Sequence, residues 1–155
     1  MNDLFSSNGK VAIITRTGGV LGGSIAKSFL HAGAKCVAID ICEEKLTKRI
    51  AELSAFGRNI IGVVGNVLDM ESLENVSKEV LAKWRRIDIL LNIAGGNLQG
   101  ATLMPDQEFF EMKISDWDKV TNLNLNGTVF PNMVFQRLIS KQKSGSIINI
   151  SSMVA

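Results

Sequence analysis

Five short runs of apolar, mostly β-branched residues alternate with longer helical stretches along this chain, and that alternation leaves few folds open. The runs are "KVAIIT" (10–15), "KCVAID" (35–40), "NIIGVV" (59–64), "IDILLN" (87–92) and "GSIINIS" (145–151). Each is nearly continuous in its apolar character, as a parallel strand covered on both faces requires. The first helix is expected from about Leu21 to Ala32, stopped by Gly33, and the second from about Glu43 to Phe56, stopped by Gly57. A third follows Asp69, a good N-cap, and runs to about Trp84. The stretch 97–112 is irregular. A long helix then starts near Ser115, with Ser115 and Asp118 spaced as a capping box, and ends near Ser140. Pro131 should kink it or end its first half.

Strands joined by helical crossovers wind with one hand, so the expected fold is α/β, a Rossmann-type doubly wound parallel sheet of order 3-2-1-4-5. Ligands of such sheets sit where the winding reverses, between strands 1 and 4. At 155 residues, with 46% hydrophobic and 21% charged residues, the chain suits one globular domain. A formal net charge of +2, with Lys83, Arg85 and Arg86 as the densest basic group, gives no nucleic-acid-binding face. No apolar run reaches membrane-spanning length, and "MNDLFSSNGK" is not a secretory signal. Cys36 and Cys42 form no metal-type pair and read as reduced thiols of a cytoplasmic protein. His31 is the sole histidine, no GxSxG surrounds Ser151 or Ser152, and no metal-ligand cluster is present, which argues against hydrolase and metal chemistry.

The turn after the first strand, "TRTGGVLGG" (15–23), carries the chemistry. Glycines between a strand and a helix let backbone N–H groups approach a pyrophosphate, and the helix dipole adds to the attraction. Gly18, Gly19, Gly22 and Gly23 supply that backbone, unless they serve only to pack helix on strand. Asp40 ends the second strand 24 residues beyond Arg16, near the spacing at which an acid accepts the adenine-ribose hydroxyls of NAD and repels the 2′-phosphate of NADP. The same residue can instead cap the next helix, and the two roles are compatible.

Four segments together resemble the N-terminal part of a short-chain dehydrogenase/reductase. "TRTGGVLGG" is similar to the family's TGxxxGxG turn, and "LLNIAGG" (90–96) to its NNAG segment. "NLNG" (124–127) resembles the segment bearing its active-site asparagine, and "SIINISS" (146–152) the strand that ends in its catalytic serine. The wording further resembles the D-mannonate-type sugar-acid oxidoreductase branch. The resemblance implies that Thr15 braces the turn, that Arg16, Gly18, Leu21 and Gly22 line the pyrophosphate, and that Asp40 holds the adenine ribose. It implies Asn66 and Val67 beside the adenine, and Asn92, Ala94 and Gly95 beside the nicotinamide-side ribose. Asn124 would hold a water in the proton relay and Ser152 the substrate oxygen.

The departures are as informative. Arg16 replaces the turn's first glycine and Val20 a second; a bulky residue is costly wherever φ is positive, although Arg16 could also reach the phosphates. Asn66 stands where the family has aspartate and Ile93 where it has the second asparagine. The family's Tyr-x-x-x-Lys lies beyond strand 5, and the 155 residues contain no tyrosine; Lys141 and Lys143 precede strand 5 and read as solvated. The resemblance therefore implies NAD-dependent hydride transfer to or from a secondary alcohol, with this chain truncated and catalytically incomplete. The alternative is a non-catalytic dinucleotide-binding or oligomerising module. "SIINI", left as a flat apolar sheet edge, is expected to promote self-association.

Overall fold

The computed structural model describes residues 6–151. The elements are β1 (Val11–Thr15), α1 (Val20–His31), β2 (Lys35–Asp40), α2 (Glu43–Leu53), β3 (Ile60–Val64), α3 (Met70–Trp84), β4 (Ile89–Asn92) and β5 (Ser146–Asn149). Between β4 and β5 lie two 3₁₀ turns, Gln99–Ala101 and Phe109–Glu111, and a long helix whose α segments are α4 (Ile114–Thr121), α5 (Gly127–Pro131) and α6 (Arg137–Lys141). The sheet has the order β3-β2-β1-β4-β5 with every pair parallel, the topology the alternating pattern predicts.

The unbroken apolar strands follow from two-sided burial. Along β1, Val11 and Ile13 join Leu73, Val76, Val80 and Phe135 under α3 and the long helix. Ala12 and Ile14 face the other way, joining Ala26, Leu30, Leu46 and Leu53 under α1 and α2. Both layers are completely dry along this strand, so each β1 side chain is a core side chain. Cys36 lies in the second layer, where burial pushes its thiol up to about 12 and leaves it inert. Among the described residues no helix is long and apolar enough to cross a membrane.

Helix ends explain most boundaries. Asp69 caps α3 by accepting the Glu71 and Ser72 N–H groups, at 2.9 and 3.3 Å. Gly33 stops α1 in the left-handed region at φ +85°, as its position after a helical run predicts. The expected capping box at Ser115 and Asp118 does not form. The long helix instead starts at Ile114, one residue earlier, because the Lys113 N–H is anchored on the Gly100 carbonyl at 2.8 Å and fixes the entry. Nor does Pro131 end it. Wider π turns, Asn122–Asn126 and Asn132–Gln136, lie on either side and relieve the clash between the ring and the preceding turn.

At the N-terminal end of the sheet a single residue, Asp88, joins three strands. Asp88 accepts the Val11 N–H at 2.9 Å, while its own N–H and carbonyl pair with Val11 and Ser146. Arg86 grips the same carboxylate through Nε at 2.8 Å and Nη2 at 2.5 Å. Burial alone would raise this carboxyl's pKa. The hydrogen bonds from Arg86 and Val11 and the nearby Arg86 and Lys10 charges outweigh it and hold the pKa below the usual carboxylate value. A depressed folded-state pKa means that the stabilisation is complete above the unfolded value, about 4, and is lost as pH falls through the folded one. Asp88→Ala should therefore lower the unfolding free energy by about 1–3 kcal/mol at neutral pH. In urea titrations its gap from the parent should narrow as pH falls below about 4, and a gap independent of pH contradicts this assignment.

Candidate functional site

The crevice opens where β1 and β4 send their chains to opposite faces of the sheet, and Thr15 forms its floor. The fully buried Thr15 hydroxyl accepts the N–H groups of Ile93 and Ala94 at 2.9 and 3.0 Å and reaches the Leu91 carbonyl at 3.4 Å. Thr17, equally buried, returns its hydroxyl to the Ile14 carbonyl at 2.7 Å. Two threonines thus hold the turn where it leaves the sheet.

Within the turn the glycines act by leaving space. Their φ angles are all negative; the one left-handed residue is Arg16, at φ +54°. At Gly22 an added Cβ would overlap the Arg16 carbonyl and lie 2.9 Å from Thr17 Cα, so only glycine lets α1 rest on the turn. At Gly18 the Cβ would sit 2.8 Å from the Asp40 carboxylate. Val20, which replaces a family glycine, simply opens α1 and is exposed. The N–H groups of Val20, Leu21 and Gly22 have no hydrogen-bond partner among the described residues. Gly19, the N-cap, offers no side chain and the first turn holds no acid. Such a helix start is built to receive an anion.

Two clefts meet over this turn. One, of about 710 Å³, is lined by Gly18, Asp40, Asn66, Val67 and α2 residues Lys45, Lys48 and Arg49. The other, of about 970 Å³, is lined by Leu21, Gly22, Ile93, Asn97, Trp117, Asn124 and Ser151. Arg16, Gly19, Val20 and Ala94–Gly96 belong to both and form a waist between them. Across this waist the Arg16 guanidinium hydrogen-bonds the Gly95 carbonyl.

In the first cleft the Asp40 carboxylate is 8% exposed and accepts the Gly18 N–H at 2.9 Å and the Cys42 N–H at 3.0 Å. Each oxygen retains a second lone pair. Asp40 therefore already fixes both the turn and the start of α2. Asn66 accepts the Leu68 N–H at 2.9 Å, and Val67 is buried against Gly127. In the second cleft Asn124 clamps Gly96 twice, accepting its N–H at 2.8 Å and donating to its carbonyl at 3.0 Å. Its position within a π turn sets that side chain toward the β4 loop.

Most of the residues singled out by sequence converge on the crevice, with two exceptions. Asn92 is 1% exposed and lies behind it, donating to Asn132 and Asn149 at 3.0 and 2.9 Å and so joining β4, β5 and the long helix. Ser152 lies outside the described residues. Sequence reading missed Arg49, whose Nη2 reaches the Gly18 and Gly19 carbonyls, each at 3.4 Å, while Nη1 pairs with Glu52 at 2.7 Å. The signal was available. Lys45, Lys48, Arg49 and Glu52 recur at helical spacing on the polar face of α2.

A family model, short chain dehydrogenase, matches residues 10–155. The chain belongs to the short-chain dehydrogenase family. A 3-oxoacyl-[acyl-carrier-protein] reductase of Thermotoga maritima is 34% identical over 94% of this chain and 56% of the relative. A 2-dehydro-3-deoxy-D-gluconate 5-dehydrogenase of Escherichia coli is 31% identical over 97% and 56%. Among solved structures, an NAD-bound protein of Haemophilus influenzae, provisionally assigned as a D-mannonate oxidoreductase, superposes with a TM-score of 0.86 at 31% identity, over 97% of this chain and 57% of that one. The chain spans about half the length of the short-chain dehydrogenases it matches. Among the described residues no group of three or more His, Cys, Asp or Glu could hold a metal ion.

Neighbouring glycines of this short-chain dehydrogenase turn differ in the space around them. Gly22→Ala must displace backbone and should cost about 1–3 kcal/mol, whereas Gly19→Ala, whose Cβ would stay 3.3 Å from the nearest backbone atom, should cost about 1 kcal/mol or less. Urea midpoints measure both. Equal midpoints contradict the close approach of α1 to the turn.

Proposed function

We infer that this chain carries the cofactor-binding portion of an oxidoreductase that transfers hydride between NAD and a secondary alcohol or its carbonyl. The observation that carries the reading is the first turn of α1, beside the waist between the two clefts, where the Val20, Leu21 and Gly22 N–H groups have no hydrogen-bond partner among the described residues. The residues fit the two halves of a dinucleotide. Val20, Leu21 and Gly22 would bind the diphosphate through their backbone, with Asp40 on the adenine ribose and Asn66 and Val67 against the base. Ala94 and Gly95 would border the second ribose. Asn92 would act from behind, by holding β4 in place. When bound, the nicotinamide supplies the hydride-accepting or hydride-donating carbon. Ser152 would hydrogen-bond the substrate oxygen and Asn124 would order water beside it, while Ile93, Trp117 and Ser151 line the same cleft as Asn124.

NAD is favoured over NADP because a 2′-phosphate would meet the Asp40 carboxylate. Sugar acids are the substrate class suggested by the D-mannonate-type and 2-dehydro-3-deoxy-D-gluconate relatives. The reduced thiols Cys36 and Cys42 fit a cytoplasmic protein. The exposed Ile148 in the edge strand β5 and Ile150 just beyond it fit self-association, which a monodisperse monomer on size-exclusion chromatography would contradict. A second reading, a dinucleotide-binding module without catalysis, is favoured by the complete lack of tyrosine in these 155 residues, which leaves them no phenolic general acid.

NADH titration tests the cofactor reading. Trp117 lines the nicotinamide-side cleft and Trp84 packs against the core, so reduced nicotinamide should quench Trp117 saturably and leave Trp117→Phe largely silent. NADPH should bind about ten-fold or more weakly. The 155-residue chain should show no alcohol-dependent NADH production. Absence of saturable quenching contradicts dinucleotide binding, and turnover contradicts the catalytic incompleteness.

A further inference from the structure

Arg16 stands where the glycine-rich turn this chain resembles has its first glycine, and its geometry gives it a task. It holds a left-handed φ of +54°, a conformation costly for a residue with a Cβ. Its carbonyl closes the turn by accepting the Gly19 N–H at 3.1 Å, while its exposed side chain crosses the waist to the Gly95 carbonyl. The contact separates the adenine-side cleft from the nicotinamide-side cleft, and Arg16 lines both. A dinucleotide spanning the two must pass where this side chain lies.

We propose that Arg16 is a latch: in the free chain it ties the turn to Gly95, and an incoming dinucleotide diphosphate takes the place of the Gly95 carbonyl as its partner. The inference rests on the dinucleotide reading above. The exchange replaces a neutral acceptor by an anionic one, and charge-assisted hydrogen bonds are roughly twice as strong as neutral ones. A guanidinium forks over two oxygens, which a single carbonyl does not offer. The neighbouring cations are placed elsewhere: Lys45 and Lys48 line only the first cleft. Arg49 is committed beneath the turn to the Gly18 and Gly19 carbonyls and to Glu52. The lost glycine is thus compensated by a charge at the waist, next to the helix start whose Val20, Leu21 and Gly22 N–H groups have no partner among the described residues. Release of Gly95 would join the two clefts only when a diphosphate is present, and would make Arg16 the residue that selects for it.

The test is calorimetric titration of the 155-residue chain, Arg16→Gln and Arg16→Gly with NAD+, ADP and adenosine. Glutamine keeps much of the length without the charge, and glycine suits the left-handed backbone, so misfolding of one variant leaves the other informative. Both substitutions should weaken ADP and NAD+ about ten-fold or more, with adenosine affinity unchanged within about two-fold. The difference should shrink as salt rises. If either variant binds ADP as tightly as the parent or more tightly, Arg16 is an obstruction and the latch is wrong. Equal weakening of adenosine points to a disturbed fold and also overturns it. If neither the parent nor the variants bind any of the three ligands, the cofactor reading itself fails and the latch fails with it.

Discussion

One hydroxyl group sets the geometry on which the candidate site depends. Thr15 ends the central strand, and its Oγ1 receives two consecutive N–H groups from the chain leaving β4, at 2.9 and 3.0 Å. β1 and β4 are the neighbours at which the winding of the sheet reverses, so their continuing chains diverge and leave a gap. Without the hydroxyl, two buried donors at the base of that gap would lack partners, a cost of about 1–3 kcal/mol each. With it, the gap has a fixed floor. The glycine turn lies on one rim and the Ala94–Gly96 loop on the other.

Above that floor the rims are held by polar contacts to backbone atoms. Asp40 pulls the Gly18 N–H toward β2, Arg49 holds the Gly18 and Gly19 carbonyls from α2, and Asn124 holds both polar groups of Gly96 from the long helix. Each contact fixes a loop that has no regular structure of its own. The N–H groups of Val20, Leu21 and Gly22, beside the waist, are left without a hydrogen-bond partner among the described residues. A turn this completely tied is preorganised, so little ordering entropy is lost when an anion arrives.

The sequence made the fold legible because two-sided burial forces unbroken apolar strands, and β1 to β4 appear within two residues of their expected bounds. The crevice and its glycine turn were legible for the same reason: strand, glycines and helix follow one another within 20 residues. Long-range geometry was not. The Ser115–Asp118 spacing looked like a helix start, but a bond between Lys113 and Gly100 set the start elsewhere. Asn92 looked like a rim residue, yet its register beside Asn149 turns it toward β5. Arg49 was legible only as part of the polar face of α2, because nothing local indicates that α2 passes beneath the turn. The strain at Arg16 was foreseeable from the missing glycine, whereas its reach to Gly95, 79 positions on, was not.

The central question is whether the first turn of α1 receives the diphosphate of a dinucleotide. Residue-resolved amide hydrogen exchange with and without saturating NAD+ measures this directly, because those donors have no hydrogen-bond partner among the described residues. The account predicts slowed exchange at Val20, Leu21 and Gly22, with β3 at the far edge of the sheet unchanged. Unaltered exchange at these three amides, with protection elsewhere or nowhere, would contradict it.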